Sequence, residues 1–211
     1  MKKNKKFNIE GEIDVVFLLD RSGSMSGTES DTIGGYNGYL NDMKDKKARI
    51  TTVLFDNQYE MITKRENISN VKKMNNKTYY TRGSTALLDA IGKSINFMDE
   101  EKAKKVLFII TTDGLENASI KYNKNQIKEM IEGHKNWEFI YIGADIDSYE
   151  EASSIGIKKE RTSNYVKTKK GMKALFGSVQ KLCETYESAG CINDNWKDEL
   201  ENYLENNKSE I

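Results

Sequence analysis

Four stretches of the chain are short, nearly all apolar and rich in β-branched or aromatic residues: Ile13–Leu19, Ile50–Phe55, Val106–Thr112 and Trp137–Ile142. Continuous apolar runs of this length read as strands buried on both faces, the pattern of a parallel sheet. Between them the period changes. Ile33, Tyr36, Leu40 and Met43 fall on one helical face, as do Leu88, Ile91, Ile95 and Met98, and again Ile127, Met130, Ile131 and His134. Strand and helix alternate, so the expected fold class is α/β: a Rossmann-like, doubly wound, mostly parallel sheet with helices on both faces. Tyr59–Thr63 alternates more loosely after the turn pair Asp56-Asn57 and predicts one short antiparallel edge strand, in a hairpin with the second run.

Further along, Ser148 and Glu151 have capping-box spacing and predict a short helix starting at Ser148. Met172, Leu175, Phe176, Val179, Leu182, Cys183 and Tyr186 form a stripe long enough to pack a helix on the sheet. A last helix carries Trp196, Leu200, Tyr203 and Leu204. The expected organisation is a basic tail over residues 1–10, one domain over 11–190, and a C-terminal helix within 191–211. That helix either packs on the domain, the plainer reading, or faces a partner.

Composition narrows the function classes. The 33 basic and 33 acidic side chains cancel, which removes the electrostatic argument for a nucleic-acid or membrane-surface partner. No run approaches the roughly 18 apolar residues of a membrane span. After the basic start, Phe7 to Glu12 holds only two large apolar residues, so no signal peptide is expected and the cytoplasm is the expected location. Cys183 and Cys191 are too few for a disulfide framework; two free thiols are expected, with a bridge between them as the alternative. The absence of proline excludes a stiff proline-rich linker.

The candidate chemistry begins where the first run ends, at Asp20-Arg21-Ser22-Gly23-Ser24. Alternate residues of an extended segment point the same way, so Asp20, Ser22 and, after a bend at Gly23, Ser24 can converge. Ligands of open α/β sheets bind at the carboxyl ends of strands. A carboxylate with several hydroxyls suits a hard divalent cation such as Mg²⁺. Capping of the following helix accounts for Asp-x-Ser-x-Ser equally well by itself. Two further features shift the balance: Gly83-Ser84-Thr85 places a hydroxyl before the second helix, and the third run ends in Asp113-Gly114. Oxygen ligands then leave three elements on one edge of one sheet.

This combination resembles the von Willebrand factor type A domain with its metal-ion-dependent adhesion site. Asp20, Ser22 and Ser24 match the first part of its signature, Thr85 the second and Asp113 the third; the likeness spans roughly residues 12–165. The longer strings DRSGSM, GSTALLDAI and TTDGLENAS are most similar to soluble bacterial and phage members. The resemblance implies that Ser22, Ser24 and Thr85 contact a metal directly or through water, and that Asp20 and Asp113 act mostly through bound water. It implies Mg²⁺, with Mn²⁺ or Ca²⁺ as alternatives, and a protein partner whose acidic side chain completes the metal's shell. Largely neutral ligands would leave the cation much of its charge for that carboxylate.

Arg21, Glu116 and Asn117 are candidates for the rim of the site, and Tyr79 and Tyr80 for contact aromatics. Asp89 reads as structural, and His134 as a satisfied, partly buried histidine. Asp145 and Asp147 end the fourth run but suit helix capping at least as well as metal binding. Enzymatic readings fare poorly. An aspartyl-phosphate phosphatase needs a second acid two positions after its aspartate, and here that place is Ser22. No nucleophile elbow, P-loop or dinucleotide fingerprint follows the first run. The expectation is a non-enzymatic binding module; the alternatives are a metal-dependent phosphoryl-transfer or hydrolytic enzyme, or a regulatory subunit of an ATPase or chelatase-type complex.

Overall fold

The computed structural model describes residues 12–207. Six strands form one sheet in the order β3-β2-β1-β4-β5-β6. They are β1 (Ile13–Asp20), β2 (Ala48–Phe55), β3 (Tyr59–Asn67), β4 (Val106–Thr112), β5 (Glu138–Gly143) and β6 (Thr162–Asn164). Every neighbouring pair is parallel except β2 and β3, which form the antiparallel hairpin at the edge. The expected fold class is observed.

Side-chain alternation divides the core in two. Val15, Phe17 and Leu19 of β1 face α1 (Glu29–Asp42) and α5 (Lys169–Ala189), whereas Val16 and Leu18 face α2 (Leu87–Glu100) and α3 (Lys124–Gly133). Both faces are covered, which is why the strands read as unbroken apolar runs. The chain leaves β1 by α1 on one face and reaches β4 by α2 on the other, so the carboxyl ends of adjacent β1 and β4 form the switch point. Helix α6 (Asp198–Asn206) and the 3-10 turn Asp194–Lys197 pack on the α5 side, burying Trp196 and Leu200 in the same core. The Trp196 indole N–H donates to the Glu160 carbonyl at 2.9 Å. No helix among the described residues is long and apolar enough to cross a membrane.

Three local expectations need correcting. The edge strand β3 is nine residues rather than short: Arg65 takes a left-handed φ of 46° and the pairing resumes beyond the irregularity. Strand β6 has no counterpart in the sequence reading, because Thr162-Ser163-Asn164 carries no apolar signal. Helix α4 (Ser148–Ser154) does start at Ser148, but Asp147 is its cap, accepting from the Glu150 amide at 3.0 Å. Ser148 is turned inward and fully buried against Gly143, so its hydroxyl cannot reach the helix amides. Cys183 and Cys191 are both free thiols, the first buried and the second exposed. The basic tail over residues 1–10 lies outside the described residues.

Candidate metal centre

Strand β1 carries Asp20 to the carboxyl edge, where the side chain is buried and both its oxygens are used. One accepts the Ser22 amide at 2.7 Å, the other the Thr112 hydroxyl at the end of β4. The first bond bends the chain after Asp20; the second ties the switch-point strands together. The Asp20 carbonyl accepts the buried Tyr79 hydroxyl at 2.6 Å, so Tyr79 is a support beneath the site, while Tyr80 is exposed. Burial pushes the Asp20 carboxyl up from 3.8 to about 6, against the lowering effect of the Thr112 and Ser22 hydrogen bonds, and nearby Asp113 adds to the rise.

The segment Gly23–Met25 makes one 3-10 turn whose Met25 is buried, anchoring a loop that leaves Ser24 at the surface. The Ser22 and Ser24 hydroxyls are 2.9 Å apart, and Ser24 donates to one Asp113 oxygen at 2.6 Å. The Gly23 amide donates to the Gly83 carbonyl at 3.1 Å, joining this loop to the one that bears Thr85. Gly83 sits at φ 67°, and a Cβ there would lie 2.2 Å from the Asn57 side-chain oxygen. Only glycine suits both the conformation and the space. Thr85 is itself clamped: its amide donates to the Asn117 side chain at 2.9 Å and its carbonyl accepts the Asn117 amide at 3.0 Å.

The three loops close on one another at Gly114. A Cβ on Gly114 would stand 2.6 Å from the Thr85 hydroxyl and 3.2 Å from that of Ser24. Asp20, Ser22, Ser24 and Asp113 are thus joined in series by hydrogen bonds, and Thr85 closes on them across Gly114, where no side chain fits. Among the described residues no three His, Cys, Asp or Glu side chains gather as a cation site. The donors here are two carboxylates and three hydroxyls, all hard oxygens, a set that fits Mg²⁺, Mn²⁺ or Ca²⁺ better than a soft metal.

The rim expectations fare differently. Arg21 is no rim residue: its side chain is fully buried, ion-paired through Nε to Asp56 at 2.9 Å and through Nη1 to Glu60 at 2.7 Å. An arginine after an edge aspartate points away from the site because alternate residues of the strand do. Glu116 is turned inward as well, accepting from the Leu88, Ala118 and Ser119 amides. Asp89 accepts the Lys121 and Tyr122 amides and is structural. His134 lies elsewhere, stacked on Trp137 and hydrogen-bonded to Met130 and Asp99. Asn117, the third rim candidate, is exposed and holds Thr85; the sequence reading missed Thr112 and Lys167. Lys167 reaches the second Asp113 oxygen at 2.9 Å.

A family model described as von Willebrand factor type A domain matches residues 14–180. The chain belongs to this family. No curated protein matches it in sequence. Solved structures share the fold at low identity. The von Willebrand factor domain of the type V pili tip protein Mfa5 from Porphyromonas gingivalis is 12% identical with a TM-score of 0.64, over 88% of this chain and 99% of that one. The pilus adhesin SpaC from Lactobacillus rhamnosus GG is 14% identical with a TM-score of 0.66, over 85% and 31%. Proximal thread matrix protein 1 of the mussel byssus, solved with a zinc-occupied MIDAS motif, is 16% identical with a TM-score of 0.59, over 82% and 46%. The chain thus spans under half of the mussel protein.

Proposed function

We propose that this type A domain is a binding module whose carboxyl edge holds a divalent cation, Mg²⁺ first among the candidates, and through it the acidic side chain of a protein partner. The observation that carries this is the convergence of the Ser22, Ser24 and Thr85 hydroxyls with the Asp20 and Asp113 carboxylates at the carboxyl edge of β1 and β4. A cation bound there would supply a positive charge that hydroxyl ligands neutralise only in part, leaving it able to take a partner's carboxylate oxygen. Ser22, Ser24 and Thr85 present oxygens; Asp113 orients Ser24; Asp20 shapes the loop through the Ser22 amide. The mussel neighbour's zinc-occupied motif supports the view that this fold holds metal at this edge. Hard donors argue for Mg²⁺ over zinc here.

The phosphatase alternative is disfavoured beside Asp20. The position two residues on, where such an enzyme needs a second acid, is Ser22, whose amide donates to Asp20. We propose a cytoplasmic location, in keeping with a sequence whose two cysteines are too few for a disulfide framework.

The test is thermal unfolding of metal-stripped protein titrated with Mg²⁺, Mn²⁺ and Ca²⁺, for the wild type and Ser22→Ala. Binding to the folded state alone stabilises by about 2.7 kcal/mol at a hundred times Kd. The wild type should show an upward shift of several degrees, and Ser22→Ala little or none. A wild type unmoved by millimolar metal would overturn the reading.

A further inference from the structure

Lys167 lies on the link between β6 and α5, 54 residues from Asp113 in sequence, and its ammonium bridges two carboxylates. It donates to the second Asp113 oxygen at 2.9 Å and stands 2.6 Å from an Asp145 oxygen. The two partners differ in setting. The Asp113 side chain is 0% exposed, that of Asp145 49%. The link itself is held: the Tyr165 amide donates to the Gly143 carbonyl at 2.8 Å, Val166 is buried, and Thr168 caps α5. A fixed backbone thus carries a flexible four-carbon arm that can lean toward either carboxylate.

We infer that Lys167 is a built-in rival of the divalent cation, and that Asp145 is the position to which it withdraws. This rests on the metal reading above. Buried beside Asp20, the Asp113 carboxylate needs a compensating positive charge, and without metal the ammonium provides it. A dication among the Ser22, Ser24 and Thr85 hydroxyls would be repelled by that ammonium and would find Asp113 already engaged. Both effects lower metal affinity. Asp145 opposes them by giving the ammonium a second, more exposed partner. Its backbone is left-handed, φ 55°, a conformation that aspartate and asparagine share readily, so the position can be tested without disturbing the turn. The consequence is a cation site weaker than its oxygen donors alone would make it.

The experiment is calorimetric titration of the metal-stripped full chain with Mg²⁺ and Mn²⁺ at neutral pH and low ionic strength. Lys167→Met should bind more tightly, by roughly tenfold for one partly screened like charge removed. Lys167→Gln, which keeps a hydrogen-bond donor for Asp113, should follow it. Asp145→Asn should move the other way and bind several-fold more weakly, since the ammonium is then left to Asp113 alone. Metal-free Lys167→Met should also melt below the wild type, with the difference closing at saturating metal. If the wild type binds and neither lysine variant binds more tightly, this inference falls and the metal reading stands. Binding by none of the proteins would overturn both.

Discussion

Asp20 sits where charge is least welcome, and its environment makes a measurable demand. Its carboxyl is raised to about 6, first by burial. A raised acid takes up its proton more readily folded than unfolded, so ionising Asp20 costs stability as pH climbs from about 4 to above 6. Asp20→Asn removes that cost and can keep both hydrogen bonds, accepting from Ser22 and donating to Thr112. Metal-stripped Asp20→Asn should be more stable than the wild type at neutral pH, on the order of 1–3 kcal/mol. The gain should fade as pH falls to about 4, where both proteins are neutral at this position, and the variant should show no metal-induced shift. Urea unfolding across that pH range checks the sign. The five candidate ligands were legible because each sits in a short local pattern ending a run or preceding a helix. Thr112 and Lys167 were not, because each acts on a residue to which only folding brings it; Asn117 was legible as a rim position but not as the partner of Thr85.

At the scale of elements, the apolar runs mark four of the six strands within a residue or two, since burial on both faces writes the strand into composition. The antiparallel β3 was legible in its first half only; its second half continues past a left-handed Arg65. Strand β6 is three polar residues held by pairing to β5, which leaves no apolar trace in the chain. Helix packing adds a constraint that periodicity does not express. Gly35 of α1 is met by the Phe176 ring of α5, and a Cβ there would approach it to 2.1 Å. Gly35→Ala must push the two helices apart or turn the ring, at a cost of about 1–3 kcal/mol by denaturant unfolding. Its metal-induced shift should survive, because the candidate ligands lie outside these two helices.

For the molecule as a whole, the open question was whether the last helix closes the domain or awaits a partner. Leu200 is 1% exposed and joins Trp196 and Ile192 in the core beside α5. Leu200→Ala should therefore cost about 2–4 kcal/mol of global stability. A loss under about 0.5 kcal/mol would mark the helix as detachable and return it to the partner-facing alternative.

By itself the sequence determined the class of the fold, the strands buried on both faces and the five oxygen-bearing residues at their ends. Those properties are written in residue type and spacing, which local burial and chain direction impose directly. Only the tertiary structure decided that Arg21 turns inward to Asp56, that Asn117 clamps Thr85, that Gly114 lies tight against the Thr85 hydroxyl, and that Lys167 spans Asp113 and Asp145. Each is a contact between segments far apart in the chain, chosen by the packing of loops at the switch point. No local pattern encodes such a choice.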